Sequence, residues 1–142
     1  MIIPNLPFNK LIGLEMSGPE NNLMVSLSEG AQYLNHLGTV HASALLAVAE
    51  AGSGEFLYRN FGHIENVVPV LRRIEAKFRR PANGCVASRC SLSEGLLEKW
   101  NLELASRKRL LAAIPIEVID STGEVVLTAT AEWFITKEGK NA

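Results

Sequence analysis

The chain has 142 residues, which at about 150 residues per domain predicts a single domain over residues 1–142. Hydrophobic residues make up 47% of it and charged residues 20%, a balance that excludes an intrinsically disordered chain. Fourteen Lys and Arg residues against fifteen Asp and Glu residues give a net charge of −1, so no overall positive field is available to bind nucleic acid.

Residues 7–16 predict a short helical turn leading into a strand. The turn-forming residues 18–22 separate that strand from the alternating segment 23–27, so residues 12–27 predict a hairpin. Thr39 is expected to cap a helix that begins at Val40 and ends near Asn60 or Gly62. Apolar and small residues cover nearly the whole circumference of this helix, a pattern typical of a helix in the middle of a domain.

The second half of the chain is rich in β-strand signals, with strands predicted at 67–80, 85–92, 110–120 and 124–136. Between them Leu97, Trp100 and Leu104 recur at helical spacing, which predicts an amphipathic helix over 95–109. These elements predict an α+β domain, a curled antiparallel sheet of five to six strands around one central apolar helix. One curled sheet leaves strand edges unpaired, so we expect two chains to join edge to edge as a dimer.

From the sequence we expect no signal peptide, no membrane helix and no disulfide. Residues 1–10 lack the basic segment and apolar core of a signal peptide. The stretch 31–49 is free of charged residues but contains Gln, Asn and His, so no membrane helix is expected. Cys85 and Cys90 are an odd number of residues apart, which on a strand places them on opposite faces. We expect packed, reduced thiols in a cytoplasmic protein, with no metal site.

The polar residues of the apolar region are concentrated at 35–43 and at Glu50. The first group lies at the N-terminus of the central helix, where unpaired N–H groups and the helix dipole favour an oxyanion. Glu50 lies among Ala47, Val48, Ala49 and Ala51, where desolvation should raise the pKa of its carboxyl group. The sequence therefore predicts an oxyanion site and a carboxylate of altered acidity on one helix.

His41 and Glu50 are nine residues apart. At about 100° and 1.5 Å per residue they are half a turn out of phase and ~13 Å apart along the axis. One helix cannot present both to one substrate atom. A single reaction using both requires a second, antiparallel copy of the helix across a twofold axis.

Asn35, Gly38, His41 and Glu50 form the pattern N-x-x-G-x-x-H followed by a carboxylate nine positions after the His. This pattern resembles the signature of hotdog-fold acyl-CoA thioesterases of the phenylacetyl-CoA-pathway type (PaaI-like). Residues 78–84 resemble that family's F-x-[KR]-P-A-x-G strand end, and residues 120–123 its later D-x-x-G hairpin. The resemblance implies a homodimer or homotetramer that hydrolyses an acyl-CoA thioester to free acid and coenzyme A. It implies no metal and no cofactor, with coenzyme A being part of the substrate.

By position, the resemblance assigns a role to each residue of the pattern. Glu50 would be the nucleophile or the general base, and the backbone N–H of Ala42 the oxyanion donor. His41 would orient the carbonyl, and Asn35 would position the carboxylate or a water molecule. Gly38 would supply a backbone conformation. The alternatives to these catalytic roles are that Asn35 only forms a turn and that His41 only caps the helix.

The sequence departs from the family pattern at two places. Ala42 and Ser43 stand where the family commonly has Gly-Gly, and Gly54 stands where some members have Thr. An Ala keeps the amide donor, but its Cβ narrows the approach of the acyl chain. The helix around Trp100 is longer than a plain hairpin and is a candidate cover for the acyl pocket.

Arg79 and Arg80 are the candidates for binding the phosphates and pantetheine arm of coenzyme A. The alternative is that these two arginines only form part of a solvent-exposed strand face. Two other functions remain open beside hydrolysis. One is a 3-hydroxyacyl thioester dehydratase or hydratase using His36 and Glu50, which are fourteen residues apart, although the prolines of that pattern are missing. The other is a non-catalytic acyl-CoA binding module.

Overall fold

The computed structural model describes residues 1–18 and 20–138. The chain begins with helix α1 (Pro7–Ile12) and strand β1 (Glu15–Met16). Strand β2 (Leu23–Leu27) and the long helix α2 (Ala42–Phe61) follow. The remaining elements are β3 (Val67–Phe78), β4 (Val86–Arg89), α3 (Glu94–Arg107), β5 (Arg109–Asp120) and β6 (Val125–Lys137).

The six strands form one antiparallel sheet in the order β1-β2-β4-β5-β6-β3. Along β5 every second residue is buried, from Leu110 to Val118, while Leu111 and Ala113 are exposed. One face of the sheet therefore carries the core, and α2 packs against that face. This is the predicted α+β hotdog arrangement of a curled sheet around a central helix.

Two contacts hold α2 closely against the sheet. The Nε1–H of Trp133 on β6 donates a hydrogen bond of 2.9 Å to Ser53 Oγ, and both groups are buried. At Gly52 a Cβ atom would overlap the Ser88 side chain of β4. The glycine thus permits close approach of helix and strand, and the hydroxyl satisfies the indole N–H in the core.

The predicted start of the central helix is wrong by two residues. The helix begins at Ala42 with His41 as its N-cap, rather than after Thr39. Thr39 is held in a closed loop, because its carbonyl accepts a hydrogen bond of 2.8 Å from the Asn35 N–H. The predicted end is confirmed, since the last helical residue is Phe61 and Gly62 is the C-cap.

The predicted hairpin over 12–27 is shorter than expected. Ile12 is the last residue of α1, which ends at Gly13 in the left-handed conformation, φ 82°. Strand β1 then has only two residues before the turn. That turn contains Pro19, which lies outside the described residues, and Asn21 and Asn22, which both have positive φ.

The predicted amphipathic helix is confirmed as α3, with Trp100 and Leu104 buried. It contacts β5 and β6. Leu111 and Pro115 on the opposite face of β5 remain exposed. Helix α3 therefore does not cover that opposite face of the sheet.

The two cysteines are free, as predicted. Cys90 is buried, and burial raises the pKa of its thiol to about 12 against the opposing effect of Arg59. Cys85 is exposed, so the expectation that it is packed is wrong. It immediately precedes β4 and follows the turn at Gly84, where the chain lies at the surface. Among residues 1–18 and 20–138, no helix is long and apolar enough to cross a membrane.

Strand β3 forms one edge of the sheet. It has 12 residues, none of them fully buried. Val70 is 56% exposed and Phe78 47% exposed. A strand of this length at the edge of the sheet exposes apolar side chains and unpaired backbone groups. It is therefore an open edge of the kind that the sequence predicted.

Candidate active site

The N-terminus of α2 is capped by His41. The imidazole Nδ1 accepts a hydrogen bond of 2.9 Å from the Ser43 N–H, and the His41 carbonyl accepts one of 3.0 Å from the Ala44 N–H. Because Nδ1 is the acceptor, the proton of a neutral imidazole is on Nε2. The Ala42 N–H has no hydrogen-bond acceptor among the described residues. One free amide is therefore present where the predicted oxyanion donor was placed.

The loop before the helix is organised by Asn35. Its Oδ1 accepts hydrogen bonds from the N–H groups of Leu37 and Thr39, at 2.9 and 3.1 Å. Its Nδ2 donates to Thr39 Oγ1 at 2.9 Å. Gly38 has φ +75°, a conformation that favours glycine. Asn35 and Gly38 thus shape the loop that leads to His41, and His36 is exposed on the same loop.

Glu50 lies in the middle of α2 and is half-buried. Burial raises the pKa of its carboxyl group above the ordinary value. Its side chain makes no hydrogen bond or salt bridge with any residue in 1–18 or 20–138. By contrast Glu55, the next acidic residue of α2, is buried and binds Arg59 at 2.9 Å.

One face of α2 is not covered by the chain's own sheet. Its residues are exposed or half-buried and recur every three or four positions, so they form one stripe along the helix. We call this stripe the open face of α2: Ser43, Ala47, Glu50, Gly54 and Tyr58. Glu50 is at its centre. No hydrogen bond joins Glu50 to His41 or Asn35 among the described residues.

A hydrogen-bonded connection that sequence reasoning missed supports the start of α2. The Val40 N–H donates to the Ala82 carbonyl at 2.9 Å. The next amide, Asn83 N–H, donates to the Asp120 carboxylate at 3.1 Å. Asp120 also accepts hydrogen bonds of 2.6 and 3.0 Å from the hydroxyl and N–H of Thr122. Hydrogen bonds thus connect the D-x-x-G turn to the P-A-x-G loop, and that loop to the residue two positions before α2. The motif resemblance did not assign this supporting role.

The hydrogen bonds at Asp120 decide its acidity. Desolvation raises the pKa of this carboxyl group, but the hydrogen bonds from Thr122 and from the backbone N–H groups of Asn83, Thr122 and Glu124 outweigh it. The pKa is therefore lower than the ordinary value. Asp120 is a charged anchor for the loop that carries Ala82.

Arg79 and Arg80 lie at the end of β3, and both are exposed. Arg80 forms a salt bridge of 3.0 Å with Glu124, and Arg79 Nε donates to Thr128 Oγ1 at 3.0 Å. Their contacts are with β6 and the turn before it. Both guanidinium groups remain at the surface of the protein.

Two apolar pockets lie at opposite ends of α2. One, of about 460 Å³, is at the C-terminal end and is lined by Gly54, Leu57, Phe61, Ile64, Trp133 and Ile135 among others. The second, also of about 460 Å³, lies beside His41 and includes Phe8, Leu11, Gln32, Tyr33 and Ser43. Across residues 1–18 and 20–138, no group of three or more His, Cys, Asp or Glu side chains is arranged to hold a metal ion.

Solved structures of other proteins have the same architecture. A protein of unknown function and probable thioesterase from Pseudomonas aeruginosa has a TM-score of 0.83 at 23% identity, covering 96% of this chain and 92% of its own. A Haemophilus influenzae thioesterase has a TM-score of 0.71 at 14% identity, covering 99% and 90%. A Bacillus halodurans protein in a structure with CoA has a TM-score of 0.68 at 16% identity, covering 90% and 74%. At these identities the likeness establishes the fold.

No curated protein matches the sequence. The sequence model of one family, described as a domain of unknown function (DUF4442), matches residues 13–135. That range extends from the end of α1 almost to the end of β6, and so includes the α2 helix and its capping loop. The chain therefore belongs to the DUF4442 family, and its fold is the hotdog fold of thioesterase-superfamily proteins.

Proposed function

We propose that this protein hydrolyses an acyl-CoA thioester, with Glu50 as the reactive carboxylate. The observation that carries the proposal is Glu50 itself, at the centre of the open face of α2. It is a half-buried carboxylate of raised pKa that has no partner within residues 1–18 and 20–138. Leaving a desolvated carboxylate unpaired costs stability. Such a group is typical of a functional site rather than of a helix surface.

The reaction requires a group that activates water or attacks the carbonyl, and a donor for the oxyanion. As general base, Glu50 takes a proton from water, whose oxygen adds to the thioester carbonyl. As nucleophile, Glu50 adds directly and forms an anhydride that water then cleaves. In both routes the C–S bond breaks, the thiolate of coenzyme A takes up a proton, and the free Ala42 amide stabilises the oxyanion. The proposal assigns to His41 Nε2–H the role of orienting the carbonyl oxygen.

The site is proposed to be shared between two chains. Glu50 and Ala42 lie at different heights and phases of α2, so one helix does not direct both at one carbonyl. The open edge of β3 and the open face of α2 are both surfaces that a second chain would cover. Pairing of two β3 edges would create a homodimer with two composite sites, and two such dimers would give a homotetramer.

Coenzyme A is the proposed leaving group, and Arg79 and Arg80 are the proposed contacts for its phosphates. Both guanidinium groups are exposed at the end of β3, and among the described residues each has one side-chain partner. The Bacillus halodurans structure with CoA supports the ligand class within the fold. Likeness to the phenylacetyl-CoA-pathway type rests on the sequence pattern of Asn35, Gly38, His41 and Glu50 and stays a prediction.

The direct test is thiol release from short, medium, long and aromatic acyl-CoAs. Exposed Cys85 would react with a thiol reagent, so the assay uses Cys85→Ser protein throughout. Glu50→Ala should abolish thiol release, whereas Glu98→Ala, a change of an exposed helix carboxylate on α3, should leave it intact. Formation or loss of a double bond without thiol release would instead show a dehydratase or hydratase, and binding without either reaction would show a non-catalytic module.

A further inference from the structure

The apolar pocket at the C-terminal end of α2 begins one helical turn beyond Glu50. Gly54 is both a member of the open face and part of the pocket wall. Four helical residues correspond to about 6 Å along the axis. An extended group attached to a carbonyl at Glu50 would therefore reach the pocket mouth after only a few bonds.

Gly54 keeps this pocket open. Its backbone does not have the positive φ that favours glycine, and a Cβ there would come no closer than 3.9 Å to the Trp133 ring. Neither conformation nor packing within the chain thus demands glycine, in contrast to Gly52, which packs against Ser88. Glycine inside a helix costs about 0.5–1 kcal/mol relative to alanine. The missing side chain at position 54 leaves room that α2 does not need for its own packing.

The floor of the pocket is fixed. Trp133 lines it, and the indole N–H is held by Ser53 Oγ at 2.9 Å. Leu57, Phe61, Ile64 and Ile135 contribute to an apolar wall that also includes Met1, Ile3 and Leu6 of the N-terminal segment. With its single polar atom already bonded, the indole presents its ring to the pocket, which is suited to methylene groups or an aromatic ring.

The second pocket differs in chemistry. Beside its apolar residues it includes Gln32, His41 and Ser43. It is also next to the free Ala42 amide. Those polar groups suit the carbonyl end and the amide-containing arm of a thioester better than an alkyl chain.

We propose that the pocket beyond Gly54 binds the acyl chain of the substrate, and that Gly54 and Trp133 set the chain length accepted. This inference rests on the proposed function for the position of the thioester. The expected substrate class is an acyl-CoA with an unbranched apolar chain that extends past Glu50 toward the C-terminal end of α2. Until the pocket is filled, each added methylene should raise kcat/KM about fourfold, as the burial of one methylene predicts.

The test of the pocket uses ligands that cannot be hydrolysed. S-(ω-bromoalkyl)-CoA thioethers with chains of about six to about twelve carbons place a bromine, which quenches tryptophan fluorescence on contact, at the end of the chain. At least one chain length should quench the wild-type fluorescence. Trp133→Phe, which leaves Trp100 outside the pocket wall, should remove that quenching.

Gly54→Leu should weaken thioether binding at least tenfold for the longer chains, while Gly54→Ala should change it less than threefold. Gly95→Leu, a glycine near the start of α3 with open space around it, is the matched control. Circular dichroism melting verifies that each variant folds. Should Gly54→Leu not fold, Ile64→Phe enlarges another lining side chain of the pocket and should produce the same loss.

The inference would be overturned if quenching survived Trp133→Phe. It would also be overturned if wild type and the folded, narrowed variant bound long chains equally well. In either case the acyl chain would lie outside this pocket. The Glu50→Gln protein separates this result from the proposed function. If Glu50→Gln protein binds the thioethers normally and wild type releases no thiol from any matched acyl-CoA, the pocket assignment is supported and the proposed hydrolysis is rejected. If thiol is released without Trp133 quenching, hydrolysis stands and the pocket assignment fails.

Discussion

The Asp120 carboxylate accepts a hydrogen bond of 3.1 Å from the Asn83 N–H, across 37 residues of sequence. The carbonyl immediately before Asn83, that of Ala82, accepts the Val40 N–H two residues before α2. The position of the helix N-terminus, and with it the Ala42 amide, is therefore connected to a turn between β5 and β6.

Asp120→Asn should lower the free energy of unfolding at pH 7 by about 1–3 kcal/mol, because an amide replaces a charged acceptor of several hydrogen bonds. The folded state lowers the pKa of Asp120 below its ordinary 3.8. Its stabilisation is thus present above that value and is lost as pH falls through the folded pKa. Urea unfolding at pH 7 and below pH 3 measures the effect, and the variant and wild type should converge in acid. A difference that stays constant between the two pH values would contradict the charged anchor.

Glu50 should have the opposite effect on stability. Burial raises its pKa in the folded state, so the folded protein loses stability as pH rises from the ordinary value of 4.5 through the folded pKa. Glu50→Gln should therefore raise the melting temperature at pH 8 and leave it nearly unchanged at pH 4. Differential scanning calorimetry at the two pH values measures this, and a variant that melts lower at pH 8 would argue for an unseen partner of the carboxylate.

Catalysis should follow the same titration. Whether Glu50 is base or nucleophile, it must be ionised, so kcat/KM should rise with pH with a midpoint above 4.5. Initial rates of thiol release from pH 4 to pH 8 give the profile. An activity independent of pH over the acid range, or equal in Glu50→Gln, would remove Glu50 from the reaction.

The Ala42 amide can be removed selectively. Ala42 is the first residue of α2, where proline is well tolerated, and His41 before it has ψ 140°, the extended conformation that proline requires of its neighbour. Ala42→Pro should reduce kcat by about 10²–10³, the cost of losing one oxyanion donor, without loss of helix content. Ala42→Gly, which keeps the N–H, is the matched control and should remain active. If the proline variant is as active as the glycine variant, the oxyanion is stabilised elsewhere.

The apolar and small residues that cover nearly the whole circumference of α2 were enough to predict its central place and the desolvation of Glu50, because both depend on local composition. The cap was predicted at Thr39, with a His41 cap kept only as an alternative, since Thr is ordinarily preferred over His at an N-cap. Thr39 is instead bound within the loop that Asn35 closes. The contacts of Ser53 with Trp133 and of Asn83 with Asp120 join residues far apart in sequence. No periodicity reveals such pairs.

The composite site is the central claim, and mixing two inactive proteins tests it most directly. Glu50→Ala lacks the carboxylate and Ala42→Pro lacks the amide, so each homodimer is expected to be inactive. Random exchange makes half of the dimers hybrids, each with one intact composite site, which should restore about a quarter of the wild-type activity per chain. Differently tagged chains, co-purified after mixing, verify that exchange occurred. If verified hybrids remain inactive while both parents are folded, the site is not shared between chains.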